Sequence, residues 1–242
     1  MSIAVIKFQG ARANVSGGGG PSVLPSDFSG LQKWYRSIDL SLSDNDPVST
    51  WTDRTSNHSD ATATGTGRPT YKTSVVDSQP MLRFDGTANF FDIPSVTFAS
   101  ADCTIVFLLK TISLYNYNPI IGSRGSVTGY MSYDYFELNY LHYYNGSGGY
   151  DSDVFDSANN LKMISIVSSF SGNTIKVREN KTSRNQFSSV YSVVFNTLGN
   201  FADGLFYTGD IYEVLIYNTA LTAANLDSLY DSYFKYYLPS LP

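Results

Sequence analysis

The residues best suited to acid–base chemistry in this chain are its three glutamates, Glu137, Glu179 and Glu213, and their spacing argues against that use. A retaining glycoside hydrolase sets two carboxyl groups about 5–5.5 Å apart. On a strand, only positions i, i+2 and i+4 share a face. Asp134 and Glu137 lie three apart, and neither Glu179 nor Glu213 has an acidic neighbour at even spacing. All three glutamates are therefore expected to be solvated or paired with a nearby Lys or Arg. Asp151, Asp153 and Asp156 follow Gly148-Gly149, which places them in a loop. Hard oxygen donors on a loop suit calcium, the one cofactor this sequence raises; a solvated turn is the favoured alternative. His58 and His142 stand far apart without metal-ligand spacing. No Ser-His-Asp or Cys-His arrangement sits in a supporting motif. Gly17–Gly20 lacks the Lys-Ser/Thr of a phosphate loop. A non-enzymatic protein is expected.

Binding chemistry is concentrated in the tyrosines. Between residues 115 and 150 there are nine, of which Tyr130, Tyr133, Tyr135, Tyr140, Tyr143 and Tyr144 are the candidate contact residues. If 129–138 is a strand, Tyr133 and Tyr135 share one face and Tyr130 lies on the other. If 138–144 is a strand, Tyr140, His142 and Tyr144 share a face. Three readings stay open. The rings could form a sugar platform, with Asn139, Asn145 and Asp134 bonding hydroxyls. They could form a protein interface, where tyrosine offers large area with a polar tip. Or they simply suit a half-exposed antiparallel sheet.

The elements that must position these residues are mostly strands. Charged residues are only 15% of the chain, with 19 glycines and 19 tyrosines, as suits short strands joined by tight turns. Cys103 to Leu109 is apolar but for Thr104 and reads as a strand buried on both faces, with the single cysteine as a small hydrophobe. Residues 161–170 and 174–179 around Ser171-Gly172-Asn173 read as a hairpin, with Ile175 and Val177 facing one way and Lys176 and Arg178 the other. At the end the period changes. Leu226, Leu229, Tyr230, Tyr233, Phe234 and Tyr237 fall on one face of a helix, with Thr222 as N-cap and Pro239 ending it. At the start, the apolar Ile3, Val5, Ile6 and Phe8 precede Gly17–Gly20, so residues 1–23 read as an arm on a flexible tether. Residues 24–242 read as one domain.

The net charge of −5 and pI near 4.9 leave no basic stripe for a phosphate backbone, so nucleic acid is excluded as a partner. No stretch approaches the roughly 20 apolar residues of a membrane span, and Met1–Phe8 is too short and too quickly polar for a secretory signal. Synthesis in the cytoplasm is expected.

Four motifs occur in a recognisable order. They are Gly-Leu-Gln-Lys-Trp-Tyr at 30–35, Trp-Thr-Asp at 51–53 followed by Ser-Asn-His-Ser-Asp-Ala-Thr at 56–62, Leu-Arg-Phe-Asp-Gly-Thr at 82–87, and Gly-Asp-Ile-Tyr-Glu-Val-Leu-Ile-Tyr-Asn-Thr-Ala-Leu-Thr at 209–222. Together they resemble the concanavalin A-like, laminin-G-like jelly rolls, with His58 where that family usually has glycine. The resemblance spans roughly residues 24–237. It implies an all-β, two-sheet antiparallel jelly-roll sandwich with one C-terminal amphipathic helix, preceded here by the short N-terminal arm. It does not imply one function, since the fold hosts lectins, adhesins and glucanases alike.

The expectation from sequence is a structural or interaction protein, a surface component of a phage virion such as a capsid decoration, head fibre or tail-associated protein. Its arm would anchor it to other virion proteins, as part of a larger assembly or homo-oligomer, and its sandwich would be displayed to cell-surface glycans. The alternatives are a free, extracellular glycan-binding module and, behind it, a β-glucan hydrolase.

Overall fold

Strand signals become two antiparallel sheets laid face to face. The computed structural model describes residues 19–112, 118–125, 129–133, 141–144, 148–152, 160–188, 192–202 and 204–242. The expected arm residues Ile3, Val5, Ile6 and Phe8 lie outside the described residues, as do Tyr135, Tyr140, Glu137, Asp153 and Asp156. Across the first sheet the order is Thr182–Ser188, Thr174–Glu179, Leu161–Ser169, Cys103–Thr111, Thr208–Tyr217, Gln79–Asp85 and Thr70–Val76, with Leu31–Arg36 also on Thr208–Tyr217. Across the second it is Gly149–Asp151, Leu141–Tyr144, Tyr130–Tyr133, Asn118–Gly122, Val193–Leu198, Phe91–Phe98, Ala61–Thr62 and Thr50–Trp51.

Alternation decides what each face meets. From Cys103–Thr111, Ile105, Phe107 and Leu109 enter the core between the sheets, while Val106 and Leu108 join a second core on the outer face of the first sheet. The helix covers that outer face. It begins at Ala223–Ser228, widens to a π-type turn over Leu229–Phe234 and ends at Lys235–Tyr237. Leu226, Leu229, Tyr230, Tyr233 and Phe234 are all buried. Thr222 caps it as expected, its hydroxyl accepting the Asn225 N–H. The hairpin also holds, with Ile175 and Val177 in the inter-sheet core and Arg178 turned outward to the helix residues Ala223 and Asp227.

The recognised motifs are the staples of this arrangement. Asp53 accepts the N–H groups of Trp34, Thr55 and Ser59, and Asp60 accepts that of Asp53, so the 51–62 segment is pinned to the strand Leu31–Arg36. His58 sits there at φ 47°, in the left-handed region that explains why glycine is usual at this place. Arg83 forks onto Asp210 at 2.8 and 2.9 Å. One oxygen of Asp85 accepts three successive N–H groups, from Thr87, Ala88 and Asn89, and so holds the Asp-Gly turn.

Both open margins of the sandwich are stitched. On one, Asn185 donates to the Asp151 carbonyl at 3.0 Å, and Tyr150 packs on Phe187 with ring centroids 5.6 Å apart. On the other, Val48 donates to the Pro69 carbonyl and Tyr71 to that of Asp46, around a bridge between Pro47 and Thr70.

Gly86 holds φ 75°, and a Cβ there would stand 2.0 Å from Thr208 Oγ1. Gly86→Ala is therefore expected to destabilise the fold by at least about 1–3 kcal/mol from the backbone conformation alone. Urea unfolding checks it; an unchanged midpoint would mean the turn is not held this way.

Candidate ligand-binding face

The tyrosine-rich strands belong to the second sheet, and pairing fixes which rings meet. Tyr144 lies directly opposite Tyr130, and His142 opposite Ser132 on one side and Asp151 on the other. Tyr130, His142 and Tyr144 therefore share the outer face, with ring centroids 5.5 Å (Tyr130 to Tyr144) and 5.7 Å (Tyr130 to His142) apart. His142 Nδ1 and Asp151 Oδ1 are 2.5 Å apart. Gly149 lies so close over the imidazole that a Cβ would come within 2.4 Å of it.

This cluster is no open platform. Phe201, from the hairpin Asn200–Phe201 with Leu205–Phe206, lies on Tyr130 at 4.3 Å, and Tyr130 is only 5% exposed. Only Tyr144 of the trio is half-buried; His142 is buried too. Tyr143 corrects the sequence expectation outright. Alternation turns it inward, where it packs on Phe98 and Tyr150 in the core, so it cannot serve as a contact residue. Tyr133 is described by its backbone, opposite Leu141. Of the three candidate calcium ligands only Asp151 is described, and it is committed to His142. No group of three or more His, Cys, Asp or Glu side chains comes together among the described residues.

The open part of the same outer face carries a different constellation. Asp92 points outward between Phe91 and Ile93, opposite Thr197 and Thr62. Arg124 stacks its guanidinium 4.5 Å from the centre of the Phe90 ring and lies 3.6 Å from Asp92. Its backbone is clamped by Asn196, whose side chain both accepts the Arg124 N–H and donates to its carbonyl. Phe206 adds a second half-buried ring, 6.4 Å from Phe90. The Arg124 and Asp92 side chains are 41% and 57% exposed. Planar donors and acceptors beside half-exposed rings can hold a ligand that has both polar edges and apolar faces. Sequence reasoning passed over these residues, although the alternation in Phe90-Phe91-Asp92-Ile93 already puts Phe90 and Asp92 on the face opposite the core. Nothing local pointed to Arg124.

The described glutamates are not at this face. Glu179 is buried between the sheets with Lys162 at 3.1 Å and Arg184 on its other oxygen, so it is paired and not solvated. Glu213 departs from expectation, where Glu179 meets it. It lies on the opposite face of the same sheet, beneath the helix, and its partners are neither Lys nor Arg. Its Oε1 accepts the Trp34 indole N–H at 2.5 Å and the Tyr233 hydroxyl at 2.8 Å, while Oε2 is buried with no partner. Burial pushes this carboxyl up to about 8, against the hydrogen bonds from Tyr233 and Trp34 and the nearby Arg36 charge. Burial likewise pushes the Cys103 thiol up to about 12, leaving it unreactive.

No protein-family model matches the chain, and no curated protein sequence does. Solved structures do. Domain 4 of an extracellular GH43 arabinanase from Geobacillus stearothermophilus, in complex with arabinotriose, superposes with a TM-score of 0.60 at 17% identity, over 84% of this chain and 98% of that one. The shared property is the fold. Trypanosoma rangeli sialidase in complex with sialic acid matches with a TM-score of 0.59 at 14% identity, over 88% of this chain. The chain spans only about a third of that enzyme, 35%. The binding domain of Paraclostridial Mosquitocidal Protein 1 gives 0.59 at 14% identity, over 87% of this chain and 53% of that one.

Glu213 has a pH consequence. Its carboxyl rises from an ordinary 4.5 to about 8 on folding, so between those values the native state keeps a proton that the unfolded chain has lost. Stability is therefore complete below about pH 4.5, falls as pH rises to about 8, and then levels, by a few kcal/mol at most. Glu213→Gln should flatten that fall in thermal melts recorded from pH 5 to 8.5; a slope unchanged from wild type would refute the assignment.

Proposed function

We propose that this chain is a non-catalytic carbohydrate-binding sandwich. The observation that carries the reading is the exposed Arg124–Asp92 pair seated on Phe90, beside Phe206, on the open face of the second sheet. Sugars offer hydroxyl edges to charged planar groups and apolar ring faces to aromatics, so this set matches them in kind. Support also comes from the fold neighbours, which include an arabinanase domain holding arabinotriose and a toxin's binding domain. The two described glutamates favour a non-catalytic role. Glu179 and Glu213 are buried on opposite faces of one sheet and cannot flank one glycosidic bond.

The setting proposed for it is the surface of a phage virion. The apolar stretch at residues 3–8 on its four-glycine tether reads as an anchoring arm that would add to a neighbouring protein. The sandwich would then be displayed outward to cell-surface glycans. In the alternative, the same sandwich works as a free lectin-like module. Native mass measurements with and without residues 1–20 separate the two: loss of association on truncation supports the arm, and a strict monomer in both forms removes it.

On a glycan array the protein is expected to bind at least one saccharide class, and Phe90→Ala with Arg124→Ala should abolish the signal while the melting temperature holds. It should release no reducing ends from a panel of polysaccharides. An array without any hit would end the carbohydrate reading, and released ends would end the non-catalytic one.

A further inference from the structure

The site on the second sheet also constrains what kind of saccharide it takes. We infer that the row Thr50–Thr62–Asp92–Arg124 with Phe90 binds a neutral oligosaccharide through vicinal hydroxyls, in preference to an acidic one. The inference rests on the carbohydrate-binding reading above and adds the ligand class.

Charge is the first argument. Arg124 and Asp92 stand 3.6 Å apart with both side chains exposed, so the site's own charges cancel. The adjacent Arg68 is turned back, its Nε donating to the Gly65 carbonyl at 2.9 Å. A carboxylate sugar at the Arg124 edge that faces Asp92 would meet a like charge there, and like charges in contact repel. A neutral diol meets no such opposition. One hydroxyl can accept from the guanidinium while its neighbour donates to the carboxylate, and both of these bonds are charge-assisted.

Pre-organisation is the second. Arg124 is held from below by Phe90 and along its backbone by Asn196, and Asp92 is fixed in the ladder between Thr197 and Thr62. The backbones that carry both groups, and the Arg124 stack on Phe90, are thus set before a ligand arrives, which lowers the ordering cost of binding. An exposed pair of this kind adds little to folding, so removing its charges should leave the fold intact.

Extent is the third. Thr50 lies opposite Thr62, and Thr62 opposite Asp92, all three exposed on one face. Two strand spacings make this row roughly 10 Å long, ending at the Arg124–Phe90 stack. A short chain of sugars fits such a row better than a single ring does.

Isothermal titration with arabinotriose and maltotriose as neutral probes and sialyllactose as the acidic one tests this. The expected result is binding of a neutral probe at least tenfold tighter than sialyllactose. Arg124→Gln and Asp92→Asn should each weaken it tenfold or more, with unchanged melting temperatures. If sialyllactose binds more tightly, and Asp92→Asn strengthens it, the neutral-ligand inference falls while carbohydrate binding stands. Neutral binding untouched by either substitution would move the site elsewhere and overturn the inference. If none of the probes binds, and an array gives no hit, both readings fall together.

Discussion

The strand Cys103–Thr111 has no face fit for water, and the rest of the molecule is organised around covering it. One side needs a second sheet; the other needs something else, because a sandwich has only two layers. The C-terminal helix supplies that third layer, laying Leu226, Leu229, Tyr230, Tyr233 and Phe234 over Val106, Leu108, Leu215 and Tyr217. Covering a sheet from outside with a tyrosine-rich helix brings hydroxyls into a dry space. Glu213 is the acceptor that receives one of them, together with the Trp34 indole. The carboxyl is thus a structural fitting between two layers, and its raised proton affinity follows from that placement.

Much of this was legible in the residues. The unbroken apolar run at 105–109 announces burial on both sides, and the helical stripe from Leu226 to Phe234 announces what covers one of them. The aspartates of the Trp-Thr-Asp and Phe-Asp-Gly motifs could be read as turn formers, and the structure shows why they are acidic: each carboxylate collects several backbone N–H groups. Other features were beyond the sequence. Trp34 and Glu213 are 179 residues apart, and no local pattern joins them.

The candidate site divides the same way. Alternation sets His142 and Tyr144 on one face and Tyr143 on the other, but only the fold says which face is the core and that Phe201, from a distant hairpin, roofs Tyr130. Among the described tyrosines of this segment, Tyr130 and Tyr143 are packed away, while exposed polar groups beside a half-buried ring are found at Phe90, Asp92 and Arg124, which no compositional bias marks. Exposure is set by what loops lie on a sheet, and that is a long-range property.

The stitching of the two margins bears on how the protein tolerates crowding. A bare sheet edge is a template for adding strands from any neighbour. Here the Pro47–Thr70 bridge with its flanking backbone bonds uses that capacity along one margin, while on the other the Asn185 side chain takes up the Asp151 carbonyl. A neighbouring copy that met the Pro47–Thr70 margin would find its backbone groups already engaged, and would touch it through side chains.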